Sequence, residues 1–348
     1  MKKKNSIVQL AKLKNKFYLK DKKIKKIYKI FKNILFKHIK KESFCIGVSG
    51  GPDSLALAYL SKIYSKEFRT KYRVLIVNHR LRKESTKEAK EVKFILLKQG
   101  ILSKILTWKG KVPKSNIQLK ARQIRYSLLL KECYSLKIKN LILGHQINDF
   151  IENFLIRLFR GSGLKGLTSF NQVFSLNKNN QKIIRPLITI KKKDLIYVSK
   201  KIFGKYIVDP TNFKEKYLRT RIRNYINNFK SDGLDIDKIK LTINNLQIAE
   251  NSLDHYFKKS IQEYVRQVSQ NKWLISNNLF DQESKEIVFR VIGHVISKAG
   301  NTYYPPRGKS LQNLIDKMNI TKPLKVTLGK CIIERVKNSF IVSNEFKA

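Results

Sequence analysis

The stretch Phe44-Cys45-Ile46-Gly47-Val48-Ser49-Gly50-Gly51-Pro52-Asp53-Ser54-Leu55-Ala56-Leu57-Ala58-Tyr59-Leu60 constrains this chain more than any other. Its first residues are apolar and read as a buried strand. The middle is small, polar and glycine-rich, and the remainder spaces its apolar residues as a helix does. A strand that turns through paired glycines into a helix makes a seat for an anion. Backbone N–H groups can come close to the ligand, and the helix dipole is positive at that end. Pro52 suits the first helical turn, where its missing N–H is not needed. Ser49 and Ser54 add hydroxyl donors, and Asp53 offers a carboxylate to a metal ion or to a substrate proton. A plain strand–turn–helix corner does not require the whole Ser-Gly-Gly-Pro-Asp-Ser string. The expected anion seat is therefore Ser49, Gly50, Gly51, Pro52, Asp53 and Ser54.

The pattern recurs downstream. Val74-Leu75-Ile76-Val77 is a second short apolar run and leads into Asn78-His79-Arg80-Leu81-Arg82. A helical stretch follows over 84–99, then a weak strand at Ile105-Leu106 and another helical stretch over 115–136. Leu141-Ile142-Leu143 reads as a strand ending at Gly144-His145-Gln146, before a helix over about 148–159. Strands alternating with helices of this length imply βαβ units and a parallel sheet. Ligands of such sheets bind beyond the carboxyl ends of the strands. Ser49–Ser54, Asn78-His79 and Gly144-His145 all fall at such ends.

Beyond Gly161 the texture changes. Residues 161–167 read as a loop, 170–190 as a polar hairpin ending at Arg185-Pro186-Leu187, and 192–203 as a helix. Val208-Asp209-Pro210-Thr211-Asn212 reads as a turn, followed by a basic segment with Arg219, Arg221 and Arg223. Ser231-Asp232-Gly233 is the best boundary. After it come helical segments over about 236–269 and 281–299 and a β-rich end over 326–342. The expected organisation is a basic arm with an amphipathic helix over 1–40, an α/β domain over 41–230, and a smaller helical, then β-rich, domain over 231–348.

The 348 residues carry a formal net charge of +49, a field that draws polyanions, nucleic acid first among them. A compositional bias toward lysine, isoleucine and asparagine accounts for part of that excess. Residues 1–41 hold sixteen lysines against a single acid. Over 24–39 the apolar residues Ile24, Ile27, Ile30, Phe31 and Leu35 keep helical spacing, which favours a helix laid on the domain. Cys45, Cys133 and Cys331 are far apart and form no Cys-x-x-Cys pair, against a zinc ribbon, an iron–sulfur site or a disulfide framework. Lysines interrupt the N-terminus, so it is no signal peptide, and no apolar run reaches the roughly 20 residues of a membrane span. The expectation is a soluble cytoplasmic protein.

The turn is not a Walker A loop, and no Gly-x-Gly-x-x-Gly supports a dinucleotide fold. Ser-Gly-Gly-Pro-Asp-Ser instead resembles the PP-loop signature of the ATP pyrophosphatases. That resemblance implies ATP as co-substrate, Mg²⁺ on its phosphates with Asp53 as ligand, and a Rossmann-like parallel sheet with helices on both faces.

A second motif narrows the resemblance. Leu143-Gly144-His145-Gln146-Ile147-Asn148-Asp149-Phe150-Ile151-Glu152-Asn153, continuing to Arg160-Gly161-Ser162-Gly163, is similar to the motif of tRNA(Ile)-lysidine synthases. On a helix Asp149, Glu152 and Asn153 share a face, and two carboxylates there can hold an ammonium group. The same acids could instead balance Arg157 and Arg160 on an exposed helix. Asn78-His79-Arg80-Leu81-Arg82, Ala121-Arg122-Gln123-Ile124-Arg125-Tyr126, Arg185-Pro186-Leu187, and Asp209-Pro210-Thr211-Asn212 with Arg219 and Arg223 look like further segments of that family. Phe150 and Asn153 stand where Gln and Thr are expected, and Arg80 where Gly is expected.

The resemblance covers about residues 44–225. It implies a ligase that adenylates C2 of the wobble cytidine of a tRNA(Ile) with a CAU anticodon and replaces AMP by the ε-amine of free L-lysine. Asp149 and Glu152 would then bind lysine, Arg122 and Arg125 would grip phosphate or a base edge, and Asp53 and His145 would serve catalysis. The last domain would bind tRNA, and a homodimer is allowed. Two rivals stand beside this reading: a PP-loop tRNA thiolase, which the cysteine pattern does not favour, and a non-catalytic RNA-binding protein.

Overall fold

The computed structural model describes residues 21–345 except 83, 111–116, 177–179, 208–217, 234, 303–304 and 321. The first twenty residues of the expected basic arm and the turn Asp209-Pro210-Thr211-Asn212 lie outside the described residues. The chain forms two compact units that divide between Lys240 and Leu241, shortly after Ser231-Asp232-Gly233.

In the first unit six strands form one sheet: β1 (Phe44–Val48), β2 (Tyr72–Asn78), β3 (Ser103–Thr107), β4 (Asn140–Leu143), β5 (Val173–Leu176) and β6 (Gln181–Ile184). Their order is β3-β2-β1-β4-β6-β5. All pairs are parallel except β5 with β6. The expected 170–190 hairpin is present, but its second strand is largely buried and extends the main sheet beside β4.

Side chains alternate across a strand, so β1 feeds two layers. Phe44, Ile46 and Val48 enter the core under the helices Pro52–Glu67, Lys22–Ile39 and Lys192–Phe203, while Cys45 enters the core under the helix Ile117–Ser135. The helix after the glycine turn is covered nearly all round. Leu55, Ala56, Leu57, Ala58 and Leu60 are all fully buried, and each such leucine contributes roughly 2 kcal/mol. That anchorage fixes where the N-terminus of the helix, and hence the turn before it, must sit.

Sheet order has a functional consequence. From β1 the chain first builds outward through β2 and β3, then returns to place β4 on the other side of β1. The crevice at the carboxyl ends of β1 and β4 is thus the switch point of the sheet, where ligands of open α/β sheets bind. Gly144, just past β4, lies there against the turn. A Cβ on it would stand 3.2 Å from the Asp53 carbonyl oxygen and 3.2 Å from the Ser54 Cα. Only glycine lets the two strand ends approach so closely.

The second unit builds its own core. β7 (Val265–Ser269), β8 (Lys272–Ser276), β9 (Lys325–Leu328), β10 (Cys331–Val336) and β11 (Ser339–Asn344) form an antiparallel sheet in the order β7-β8-β11-β10-β9. The helices Lys285–Ala299 and Gly308–Met318 contribute to the core around Val291, Val295, Ile333 and Phe340. Arg290 is buried there; it donates to both oxygens of Glu250 at 2.7 Å and to Glu286 at 2.7 Å. The helical reading of 236–269 needs correction, because the helix ends at Tyr264 and Val265–Ser269 is a strand. Val265 and Val268 precede a turn at Gln270-Asn271, with Trp273-Leu274-Ile275 beyond it. That hairpin pattern overrides the helical spacing. No described helix is long and apolar enough to cross a membrane.

Candidate active site

The turn after β1 is organised by one side chain. Ser54 Oγ accepts from Ser49 N at 3.2 Å and Gly50 N at 3.1 Å, and donates to the Gly51 carbonyl at 3.0 Å. Gly50 has φ +89, and a Cβ there would meet Val92 Cγ2 at 2.4 Å, so both backbone and space demand glycine. Gly51 caps the helix Pro52–Glu67 without any side-chain hydrogen bond. Pro52 has no N–H, which leaves the amides of Asp53 and Ser54 as the open donors of the first turn. The expected seat residues Ser49, Gly50, Gly51, Pro52, Asp53 and Ser54 thus end in an uncapped helix N-terminus that presents the Asp53 and Ser54 amides.

Asp53 stands at that end with its Oδ1 buried and taking no hydrogen bond. Burial first, and then the charge of Asp149, push its carboxyl up to about 7, while Lys192 and Arg223 pull against them. The sequence separates these groups widely; the fold brings them into one electrostatic cluster.

The helix Ile147–Leu158 starts beyond β4 and ends its first turn differently. Gln146 Oε1 accepts from Asn148 N at 2.9 Å, and Asp149 Oδ2 accepts from Gln146 N at 3.0 Å, which closes that N-terminus by a capping box. The second oxygen of Asp149 takes no hydrogen bond from any described residue.

Glu152 has another fate. It is 2 % exposed, and both its oxygens are held by Arg223, from Nε at 2.6 Å and from a terminal nitrogen at 3.2 Å. Its partner is therefore neither Arg157 nor Arg160. Burial raises the Glu152 carboxyl above its ordinary range despite that pair. Burial works against the Arg223 charge, yet the Glu152 hydrogen bond holds its guanidinium above its ordinary value. The helix Leu218–Ser231 that carries Arg223 packs on Ile147 and Ile151 through Ile222 and Ile226. A small cavity of about 30 Å³ beside the pair is lined by Asn148, Ile151, Glu152, Arg223 and Ile226, among others.

His145 leaves β4 next to Phe170, edge on to its ring at 5.3 Å between centroids. Arg185 lies over the same ring at 4.4 Å and donates to the Asn171 carbonyl at 2.6 Å. Burial, followed by the charges of Arg185, Arg122, Arg219 and Arg125, keeps the imidazole well below its ordinary value and so favours the neutral ring. Its Nδ1 is buried without a partner, as is that of His79 at the end of β2. Arg122 donates to the Tyr126 hydroxyl at 3.3 Å, on the helix that also carries the exposed Arg125. The turn residues Ser49–Ser54 follow β1, and His145, Asp149 and Glu152 follow β4; Arg122 and Arg125 lie on another helix, and their charges act on His145. What sequence reasoning missed is the direct partnership of Arg223 with Glu152, the Arg185–Phe170–His145 stack, and Lys192 near Asp53. Arg185 and Arg223 were visible as motif residues, but nothing in their spacing named their partners.

A family model described as a PP-loop domain matches residues 19–229. Among curated proteins, tRNA(Ile)-lysidine synthase of Orientia tsutsugamushi (strain Boryong) is 36% identical over 317 residues, covering 86% of this chain and 69% of that protein. The protein of the same name from Wolbachia pipientis wMel is 32% identical over 303 residues, covering 86% and 70%. The chain belongs to the tRNA(Ile)-lysidine synthase family. Among solved structures, a U34-tRNA thiolase, NcsA, from Methanococcus maripaludis with its [4Fe-4S] cluster superposes with TM-score 0.57 and 22% identity, over 68% of this chain and 81% of that one. That likeness is one of fold. In this lysidine synthase-family chain all three cysteines are free and buried, Cys45 and Cys133 inside the first unit and Cys331 in the second. Among the described residues no group of three or more His, Cys, Asp or Glu side chains is placed to hold a metal ion.

Proposed function

We propose that this chain makes lysidine. It adenylates the C2 oxygen of the wobble cytidine in a tRNA(Ile) with a CAU anticodon and then replaces AMP by the ε-amine of free L-lysine. Membership of the family makes it an ATP-dependent ligase that modifies tRNA. The observation that carries the finer reading is the pairing of an open, glycine-built helix N-terminus with an acid-bearing one across the switch point of the sheet.

In the first step the C2 oxygen attacks the α-phosphorus of ATP; the O–P bond forms, the α–β bridging bond breaks and pyrophosphate leaves. Charge develops on the departing pyrophosphate, and the open amides of Asp53 and Ser54 at the uncapped helix end suit its stabilisation. Asp53, with an unpartnered buried oxygen beside this seat, fits a Mg²⁺ ligand. The ion, when bound, supplies positive charge to the phosphates. In the second step the lysine nitrogen forms its bond to C2, and the C2–O bond breaks to release AMP. A free ε-ammonium ionises near 10.4, so it must lose a proton before it attacks. Asp149 offers a carboxylate with one unoccupied oxygen. Asp53 takes either that Mg²⁺ role or, without the ion, that of a proton acceptor at neutral pH, its carboxyl being pushed up to about 7. Glu152, neutralised by Arg223, forms the wall behind the amine. The neutral His145 serves as a hydrogen-bonding partner and not as an acid, and Arg122 and Arg125 face RNA phosphate or a base edge. The second unit supplies further contacts to the tRNA, and the protein works in the cytoplasm.

All three cysteines are buried, Cys45 against Cys133 in one core and Cys331 in the other unit, which disfavours sulfur transfer, and an RNA-binding role alone leaves the phosphate seat without a use. The deciding experiment incubates the protein with tRNA, ATP and isotopically labelled lysine and analyses the nucleosides by mass. A labelled, lysine-adducted cytidine with AMP and pyrophosphate in equal amounts is expected. Binding of tRNA without AMP release would sink the ligase reading.

A further inference from the structure

The lysines of this chain are unevenly placed. The helix Lys22–Ile39 carries seven lysines and no acid, whereas the longer helix Ile236–Tyr264 carries four lysines and four acids. A general enrichment in lysine would have loaded both alike. On the first helix Ile24, Ile27, Tyr28, Phe31, Leu35 and Ile39 form the buried stripe, and Lys22, Lys23, Lys25, Lys26, Lys29 and Lys37 are exposed. Lys23 pairs with Asp194 at 3.0 Å and Lys32 with Glu67 at 2.8 Å. Among the described residues no carboxylate pairs with Lys22, Lys25, Lys26, Lys29 or Lys37.

This helix is joined to the site by its N-terminal end. Asp21 caps it and also accepts from the Tyr197 hydroxyl at 2.7 Å, and Lys23 Nζ lies 4.6 Å from the Tyr197 ring centre. Tyr197 belongs to the helix Lys192–Phe203, whose exposed Lys192, Lys193, Lys200 and Lys201 continue the cationic surface. That second helix shares a core with the helix Pro52–Glu67, and the chain just after it returns to the seat, where Ile207 N donates to the Gly50 carbonyl at 2.9 Å; the Lys192 charge is also felt at Asp53. A lysine-bearing face therefore runs from the edge of the phosphate seat onto the outer side of the N-terminal helix.

We propose that this face seats the phosphate backbone of the substrate tRNA beside the nucleotide that enters the site; the proposal rests on the tRNA-modifying reading above. Lys22 to Lys29 spans about 10 Å of helix axis, the rise of about three nucleotides of one strand. Each phosphate neutralised releases counterions, and binding then weakens with salt by a slope of about 0.7–0.9 per contact.

The test is tRNA binding by the full chain across a salt series, with Lys22, Lys25, Lys26 and Lys29 replaced together by Gln. The expected result is at least about tenfold weaker binding near 0.1 M salt and a slope smaller by about two to three. The Lys25→Gln, Lys29→Gln pair should lose about half of that slope. Replacement of the same four lysines by Arg should keep both affinity and slope, because charge and not shape is used. Thermal midpoint and ATP binding without RNA should match the wild type. A Gln variant with wild-type affinity and slope overturns this proposal alone, whereas a wild-type protein that does not bind the tRNA overturns it together with the function on which it rests.

Discussion

Two helices begin at neighbouring strand ends of the same sheet, and their N-termini are finished in opposite ways. After β1, Gly51 and Pro52 leave the helix end without a side-chain cap, and Ser54 turns back to brace the loop. After β4, Gln146 and Asp149 cap each other's backbone and close the end. An open N-terminus is a site for an anion. A capped one has already spent its dipole on its own carboxylate, and what it presents outward is that carboxylate's remaining charge. One fold element repeated at adjacent positions thus gives a phosphate seat and a cation seat, and a reaction between a nucleotide and an amine needs both.

The largest expected effect comes from joining or severing the two. Asp53 belongs to the open terminus but titrates under the influence of Asp149 in the capped one. Asp53→Ala should lower AMP formation by about 10²–10⁴-fold while tRNA binding persists. If both fall together, the loss is one of folding and the division of labour between the termini is wrong.

The second effect is on the acid side. Arg223→Gln leaves Glu152 buried opposite an amide, and removing one partner of a buried ion pair costs about 3–5 kcal/mol. The guanidinium side chain is 33% exposed while the Glu152 side chain is 3% exposed, so water softens the loss toward the lower figure. Denaturant unfolding should report that drop, and Glu152→Gln in the same chain should recover much of it. The half-saturating lysine concentration should rise in the single variant. A single variant of unchanged stability would mean that Glu152 is free to bind lysine directly.

On the phosphate side the effect is smaller and is confined to one of two adjacent glycines. Gly50→Ala meets a left-handed backbone, which costs about 1–2 kcal/mol, and a methyl that collides with Val92. A Cβ at Gly51 would touch nothing nearer than Ser49 Oγ at 3.9 Å, so Gly51→Ala should fold normally. Thermal midpoints of the pair separate the two positions, and equal losses would show that the turn is held by something other than the Gly50 conformation.

The two termini also differ in how far they could be read from sequence. The glycine turn is legible because its defining bonds span five residues or fewer, and residue type there dictates geometry. The parallel sheet is legible for a similar reason, since each βαβ unit repeats the same short pattern. The acid cluster is only half legible. Helical spacing places Asp149 and Glu152 on one face, but the partner of Glu152 lies 71 residues away and no local pattern chooses Arg223 over Arg157 or Arg160. Val265–Ser269 differs, because its partner β8 lies just across the turn at Gln270-Asn271; its apolar spacing taken alone is also compatible with a helix. Long-range pairing is what the residues do not carry individually.

The last test asks whether the termini are coupled electrically at all. Burial and the neighbouring Asp149 hold the Asp53 carboxyl at about 7 in the folded protein, against about 3.9 in the unfolded chain. Between those values the folded state binds more protons than the unfolded one, so stability must fall as pH rises from about 4 to 7 and level off above. Near the middle of that window this group contributes about 1.4 kcal/mol per pH unit. Glu152 is shifted in the same direction and adds to the slope, so the diagnostic quantity is the difference between proteins. Urea unfolding of the first unit's transition at pH 5, 6 and 7 should show the wild type losing stability relative to Asp53→Asn, which cannot ionise there. In Asp149→Asn the carboxyl of Asp53 loses a like charge, ionises at lower pH, and the loss should be complete earlier. Parallel curves for wild type and Asp53→Asn would mean that the open terminus is solvated like a surface loop. Asp53 would then have no means of taking a proton from an amine at neutral pH, and the acceptor would have to be sought at the capped terminus, in Asp149.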